Sequence, residues 1–125
     1  MARIAAKSDR TPAPAGPYSP SVRIGSLVAG SGQVGTDADG VLLSGVAAQT
    51  RQALTNVLEN LAANGACADD VISVRVFLTD PSHFAAMNQA YATMFTEPYP
   101  TRTTVFVGLP EGMLVEIDAL AVVDV

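Results

Sequence analysis

Two charged residues stand out in a largely apolar stretch near the end of this 125-residue chain. The stretch PTRTTVFVGLPEGMLVEIDALAV, residues 100–122, carries Arg102 at the start of one predicted strand and Glu116 inside the next. A guanidinium makes two parallel, charge-assisted hydrogen bonds to a carboxylate ligand. A nearby Glu can orient a water molecule or move a proton. Together, these residue types could hold a small acid beside an activated water.

The spacing of the two residues is compatible with a structural role and with a chemical one. We predict strands over Thr103–Val107 and Leu114–Val123, paired as an antiparallel hairpin around the turn between them. Residues opposite each other in such a pair share one face of the sheet, so Arg102 and Glu116 would lie close together. They would form either an ion pair at the strand end or a binding and catalytic pair, and spacing alone favours neither.

Hydrophobic periodicity predicts the elements that must position these residues. Helices are predicted from about Val46 to Asn64, capped by Ser44, and from about His83 to Phe95. Residues 1–15 are predicted to be an extended lead-in because Pro12, Pro14, Gly16 and Pro17 follow one another closely at its end. The remaining predicted strands are Val22–Ile24, Leu27–Ala29 and Val71–Leu78.

The resulting order, β-β-α-β-α-β-β, predicts a single α/β domain over residues 1–125, with one sheet and two helices packed on one of its faces. The last strand is apolar on one face throughout, and Leu120 and Val122 make its other face partly apolar. Two helices cover only one face, so the other would expose an apolar patch too large for a monomer. The pattern therefore predicts a homo-oligomer.

Composition narrows the classes of function. The net charge of −5 and the scattered basic residues argue against a nucleic-acid partner. No apolar run is long enough for a membrane helix, and the single cysteine, Cys67, favours a reducing, cytoplasmic location. The single histidine, His83, cannot form a two-histidine ribonuclease site, and one Cys and one His do not make a metal site.

Four further residues are candidates for a binding site. Tyr18 follows Pro17 in an extended segment and could be an anchoring aromatic or a pocket wall. Ser31 and Gly32 belong to a glycine-rich turn where backbone could approach a ligand closely. Asn88 lies on the apolar stripe of the second helix and needs a partner. A bond to a neighbouring backbone group is the simpler interpretation, and a substrate-binding role is the alternative.

Several stretches resemble the RidA/YjgF family, which also includes proteins described as endoribonuclease L-PSP. The resemblance covers nearly the whole chain, and the stretch with Arg102 and Glu116 is its most specific part. The other matching stretches are GPYSP (residues 16–20), GSGQVG (residues 30–35), AAQTRQALTNVLENLAANG (residues 47–65) and VRVFLTDPSHFAAMNQAYATMF (residues 74–95).

The resemblance implies a chorismate-mutase-like α/β fold and a homotrimer with sites at the subunit interfaces. It implies hydrolysis of enamines and imines such as 2-aminoacrylate and 2-iminopropanoate to 2-keto acids and ammonia. By the same resemblance, Arg102 would hold the substrate carboxylate and Glu116 would activate the attacking water. Tyr18, Ser31 and Gly32 would line the pocket. No cofactor or metal is expected, because an imine carbon is already electrophilic.

Three residues depart from the family pattern: Pro20 stands where Gln is common, Gly35 where Pro is common, and Thr104 where Cys or Ala is frequent. They are expected at the rim and floor of the pocket, with Thr104 among the substrate-binding residues. Two alternatives to the deaminase remain: a non-catalytic trimer that binds small carboxylates or acts as a chaperone-like interaction protein, and, less favoured by the composition, an endoribonuclease.

Overall fold

The computed structural model describes residues 1–124, which form one mixed six-stranded sheet and two α-helices. Short 3-10 helices at Ala68–Asp70 and Pro81–His83 precede the fourth strand and the second helix. The α/β class is therefore confirmed. In chain order the elements are β1 (Ile4–Ala6), β2 (Ser21–Ile24), β3 (Leu27–Val34), α1 (Val46–Ala63), β4 (Val71–Leu78), α2 (Phe84–Ala92), β5 (Thr101–Phe106) and β6 (Val115–Val122).

The sheet has the strand order β1-β2-β3-β6-β4-β5, so the predicted hairpin between the last two strands is wrong. β6 pairs antiparallel with β3 and β4, whereas β5 pairs parallel with the far side of β4. At the end of β4, Val107 N donates to Leu78 O and Thr79 N donates to Leu114 O, so the β5–β6 connection passes across that strand end. The apolar β6 is thereby placed in the interior of the sheet.

Two strands differ most from the predictions. Ile4–Ala6, inside the predicted lead-in, forms a strand that pairs with β2. β3 continues to Val34 through the glycine-rich stretch that was read as a turn. Gly30 in that stretch faces α1, and a Cβ there would lie 3.2 Å from Leu61 Cδ2. A glycine inside a strand here reflects close helix packing rather than a chain reversal.

The helix ends also differ in detail from the predictions. Ser44 does not cap α1, because Gly45 occupies the N-cap position with φ of 85° and no side-chain cap bond is made. α2 covers Phe84–Ala92, shorter than predicted at both ends. At the other end of α1, Gly65 adopts a φ of 91°, the left-handed conformation that the predicted helix stop requires.

Both helices pack on one face of the sheet and enclose the core. β6 contributes every second residue to this face, which is the apolar face that the sequence pattern predicted. Burial of these side chains away from water is the main stabilising contribution to the fold. The fully buried core residues include Val28, Leu54, Val57, Leu61, Val76, Leu78, Met87, Val115 and Ile117.

The opposite face of the sheet, the open face, is not covered by any element within residues 1–124. Leu27, Val105 and Val122 keep 50%, 39% and 37% of their surface exposed there. The Arg75 guanidinium donates to both carboxylate oxygens of Asp118 on this face and lies 5.7 Å from the Phe77 ring centroid. Apolar side chains around one ion pair are typical of a surface that contacts another protein chain.

Several polar residues of α1 are buried, although amide side chains are usually exposed. Asn56 Nδ2 donates to the carbonyls of Val34 and Thr36, and Asn60 Oδ1 accepts from Ser8 N and Thr11 Oγ1. These amides satisfy the backbone of segments that cross the helix. The polar stripe of α1 is therefore a contact surface for loops.

The buried Thr50 hydroxyl, like Asn60 Nδ2, has no hydrogen-bond partner in the described part of the chain. A buried, unsatisfied hydroxyl is destabilising, whereas an apolar group of the same shape is not. We therefore expect Thr50→Val to raise the free energy of unfolding by about 1 kcal/mol, measured by urea denaturation at fixed protein concentration. Thr55→Val is the control, because Thr55 is exposed on the same helix and bonds only to Arg51 O. A loss of stability in Thr50→Val would contradict this account.

Candidate functional site

β6 places Glu116 on the open face, opposite Val34 of β3 and Phe77 of β4. The carboxylate lines a cleft of about 370 Å³ together with Tyr18, Ser31 and Gly32. Among residues 1–124, no side chain forms a hydrogen bond or ion pair with Glu116. The structure therefore brings together four of the predicted site residues around an available carboxylate.

Gly32 allows the Glu116 carboxylate to lie directly over the backbone of β3. The register of β3 against β6 shifts between Gly30 and Gln33, which locally exposes the strand backbone. A Cβ on Gly32 would lie only 2.8 Å from Glu116 Oε1, closer than real side-chain atoms approach. A glycine is thus required at this position for the observed placement of the carboxylate.

The segment before β2 is folded against this cleft by hydrogen bonds to β3. Ser31 Oγ donates to Ser19 O at 2.6 Å, and Ser31 N donates to Pro20 O at 3.0 Å. Pro20 is buried, and this contact needs only its carbonyl, which explains how a proline is tolerated here. Tyr18 Oη accepts from Ala15 N, and 45% of Tyr18 remains exposed at the cleft.

A second cleft, of about 240 Å³, adjoins the first and shares Tyr18, Gly32 and Glu116 with it. Its other side is formed by Pro110 and Met113, from the connection that leads into β6, and by the N-terminal segment around Pro12. Glu116 therefore stands between a more polar opening and a more apolar one.

Arg102 lies elsewhere, on the edge strand β5, and its side chain faces α2. Its Nη2 donates to Asn88 Oδ1 at 2.7 Å, and its Cζ lies 4.8 Å from the Tyr91 ring centroid. The Phe84 ring centroid is 5.8 Å away, so two aromatic rings and one amide hold the guanidinium. The cleft at this position, of about 430 Å³, is lined by Asn88, Tyr91, Ala92, Tyr99, Pro100 and Arg102.

Two buried hydroxyl groups lie on the same side of β5 as Arg102. Burial raises the pKa of the Tyr91 phenol above its usual value, and the nearby Arg102 acts in the opposite direction. Thr104 lies two residues along the strand from Arg102, and its hydroxyl is also buried. Neither hydroxyl finds a hydrogen-bond partner in the described part of the chain.

Arg102 and Glu116 are not neighbours within one chain, contrary to the sequence prediction. β4 separates their strands, and the two side chains face opposite sides of the sheet. The interpretation as an ion pair at a strand end is therefore wrong. The ion pairs found within residues 1–124 are Arg10–Glu59 and Arg75–Asp118. Each chain carries two separate clusters of candidate residues, the Glu116 half-site (Tyr18, Ser31, Gly32 and Glu116) and the Arg102 half-site (Asn88, Tyr91 and Arg102).

The simpler interpretation of Asn88, a bond to a neighbouring backbone group, is wrong. Its side-chain oxygen accepts a hydrogen bond from Arg102 instead. In the sequence, the only signal was its place on the apolar stripe of the second helix, where a polar residue needs a partner. His83 lies in the 3-10 helix before α2, and Cys67 is exposed. No cluster of three or more possible metal ligands is present among residues 1–124.

Comparison with known proteins identifies the family. The model of the family described as Endoribonuclease L-PSP matches residues 8–123. The crystal structure of RidA from an Antarctic Psychrobacter bacterium superposes with a TM-score of 0.92 at 37% identity, covering 97% of this chain and all of that one (100%). This chain belongs to the RidA/YjgF family.

Two other members of the RidA/YjgF family are informative about chemistry. The 2-iminobutanoate/2-iminopropanoate deaminase of Salmonella typhimurium is 38% identical over 120 residues, covering 92% of this chain and 94% of the relative. The crystal structure of Escherichia coli TdcF with bound serine has a TM-score of 0.92 at 36% identity, covering 97% of this chain and 99% of that one. Neither helix in the described residues is long and apolar enough to cross a membrane.

Proposed function

We propose that this RidA/YjgF protein is a cofactor-independent deaminase of 2-aminoacrylate- and 2-iminopropanoate-type intermediates. The observation that carries the proposal is the Glu116 carboxylate, which lies over Gly32 in an open cleft with no protein partner among residues 1–124. A structural carboxylate would be paired, as Asp118 is with Arg75. The name of the Salmonella typhimurium relative supports the same chemistry.

The proposed active form is a homotrimer of the chorismate-mutase-like type, in which each site is completed by two subunits. The half-site around Arg102 lies at the sheet edge, and the half-site around Glu116 lies on the open face. Covering the open face with neighbouring copies would bury Leu27, Val105 and Val122. A ring of three copies would join each Arg102 to the Glu116 cleft of the next chain, and subunit seams are common places for small-molecule sites.

In the proposed mechanism, Arg102 binds the substrate carboxylate while Asn88 and the aromatic rings fix the guanidinium plane. Glu116 accepts a proton from water as the water oxygen bonds to the carbon of the protonated imine, which gives a neutral carbinolamine. Glu116 then returns this proton to the nitrogen, ammonia leaves as the C–N bond breaks, and the carbinolamine hydroxyl gives its proton to solvent as the carbonyl of the 2-keto acid forms. An enamine substrate first takes a proton from solvent on its terminal carbon, which gives the same protonated imine.

Tyr18, Ser31, Gly32 and Thr104 are proposed to line the pocket rather than to transfer protons. Ser31 is engaged with Ser19 O, and Tyr18 Oη accepts from Ala15 N, so both shape the wall of the cleft. Thr104 has a buried hydroxyl near Arg102 and is proposed as part of the floor beneath the substrate carboxylate. The imine carbon is electrophilic without a cofactor, so positioning and proton transfer are sufficient.

A cytoplasmic location is inferred from Cys67 alone.

The proposal is tested by generating an imino acid in place with an amino-acid oxidase and following the release of the keto acid. The wild-type protein should accelerate release, and Arg102→Ala should lower kcat/KM by about 10³-fold or more because the carboxylate loses its clamp. Arg51→Ala is a matched control, since Arg51 is exposed on α1. Equal rates with and without wild-type protein, over several imino acids, would reject the deaminase.

A non-catalytic carboxylate-binding protein is the second candidate. The Arg102 half-site is organised by Asn88 and Tyr91 without help from Glu116, so a small acid could bind there without reacting. The solved TdcF structure with bound serine is compatible with such binding in a relative. An inactive wild type that still binds 2-keto acids through Arg102 would favour this candidate. An endoribonuclease remains disfavoured by the net charge of −5 and the single histidine.

A further inference from the structure

Gln49 is a buried polar residue that bonds to three backbone groups in two segments near the Glu116 half-site. It lies in the first turn of α1 and is only 2% exposed. Its Nε2 donates to Leu43 O and Gly112 O, both at 2.9 Å, and its Oε1 accepts from Leu114 N at 2.8 Å. Both ends of the amide are therefore used, and the connection that leads into β6 is fixed to the helix.

Gly35 makes this arrangement possible at the end of β3. A Cβ on Gly35 would lie 2.5 Å from Gln49 Cβ and 2.6 Å from Gln49 Cα. The strand end and the start of α1 are thus in direct backbone contact. Gly35 O also accepts from Leu43 N at 3.0 Å, so the loop before the helix is tied to the same point. The departure from the family pattern at residue 35 has a specific structural consequence here.

The segments held by Gln49 are those that flank Glu116. Leu114, whose N–H bonds to Gln49, lies two residues before Glu116 on the same chain. Val34, next to Gly35, pairs directly with Glu116 across β3 and β6. Pro110 and Met113, in the connection that bonds to Gln49 through Gly112, line the cleft beside the carboxylate.

We propose that Gln49, packed on Gly35, is a positioning residue that sets the place of the Glu116 carboxylate relative to the bound substrate. This inference rests on the proposed deaminase function. Displacement of a reacting group by about 1 Å can lower a rate by about 10²-fold. Loss of the Gln49 bonds frees the start of β6 while leaving the Arg102 half-site, on the far side of β4, intact. The effect should therefore fall on kcat rather than on carboxylate binding.

The test compares Gln49→Met with Asn64→Leu at the other end of α1. Asn64 is also buried, and its Nδ2 donates to Ile4 O in β1 and Ser21 Oγ in β2, so it contacts neither β6 nor the connection that leads into it. Each variant removes buried amide bonds, so both should lose stability. We expect Gln49→Met to lower kcat by about 10-fold or more, with KM and the Kd for a 2-keto acid within about threefold of wild type. Asn64→Leu should keep kcat within about twofold.

Gly35→Ala provides a second route if Gln49→Met does not fold. It leaves the Gln49 side chain present but inserts a Cβ against it, and the same selective loss of kcat is expected. The inference is overturned if Gln49→Met or Gly35→Ala keeps wild-type kcat, or if kcat falls equally in Asn64→Leu. An inactive wild type would instead reject the proposed function, so the two failures are distinguishable.

Discussion

Glu116→Gln is expected to lower kcat by about 10²- to 10⁴-fold, the range for loss of a general acid–base group. Gln has nearly the same shape as Glu, so the carboxamide can occupy the same place over Gly32. It cannot accept a proton from water or return one to ammonia. Arg102 lies in the other half-site, so the Kd for a 2-keto acid should change by no more than about threefold. Stopped-flow or coupled measurement of keto-acid release, together with calorimetric ligand binding, separates the two effects.

Glu59→Gln is the matched control for this prediction. Glu59 lies on α1, where it forms an ion pair with Arg10 and accepts from Ser8 Oγ. The same chemical change there should leave kcat at the wild-type value, since that part of the surface carries neither half-site. Wild-type kcat in Glu116→Gln would remove Glu116 from the reaction. A loss of keto-acid binding in the same variant would indicate a structural rather than a chemical role.

The helices and most strands could be predicted because their signals are local. In α1, apolar residues recur with the helical period, and Gly65 ends the helix with a conformation that other residues rarely adopt. In β6, and in β4 from Val74 onward, alternate residues are buried as the apolar pattern indicates. Ile72 is exposed instead, because the register of β4 against β6 shifts between Val71 and Ser73. These signals need no knowledge of what lies on the other side of the sheet.

Strand pairing could not be predicted in the same way, because it depends on residues far apart in the chain. Neighbouring strands in sequence usually pair, which favoured a β5–β6 hairpin. The short connection between them instead crosses the end of β4, where Val107 and Leu114 bond to Leu78 and Thr79. The turn residues in that connection are compatible with either path. The prediction that Arg102 and Glu116 lie close together in one chain was wrong for this reason alone.

The sequence predicted the functional residues of the candidate site better than it predicted the groups that surround them. Arg102 and Glu116 are conspicuous because charged residues are rare in apolar strands. The partners of Arg102 are less conspicuous, because in the sequence Asn88 is only a polar residue on the apolar face of a helix. The buried amides of α1 carry no sequence signal of their burial, since most of their partners lie 20 to 65 residues away in the chain. Periodicity does not report such partners.

Mixing two inactive variants is expected to restore activity if each site is shared between neighbouring subunits. Arg102→Ala subunits keep Glu116, and Glu116→Gln subunits keep Arg102. In a randomly mixed ring, a working site needs Arg102 from one subunit and Glu116 from the next subunit in a fixed direction. The first must therefore be a Glu116→Gln subunit and the second an Arg102→Ala subunit. Each condition holds for half of the subunits, so about a quarter of the sites should be intact. Refolding the variants together in equal amounts should therefore give about a quarter of the wild-type kcat per subunit.

Two differently tagged batches of Glu116→Gln, refolded together, are the control and should stay inactive. Recovery of both tags in one complex by tandem purification shows that mixing has occurred. Absence of activity in complexes that contain both variants would contradict a shared site. It is the result expected for a site built within one subunit, since every chain in the mixture lacks either Arg102 or Glu116. The opposite faces of the sheet on which Arg102 and Glu116 lie make recovery the expected result, since no single chain can bring the two side chains together without breaking β4 out of the sheet.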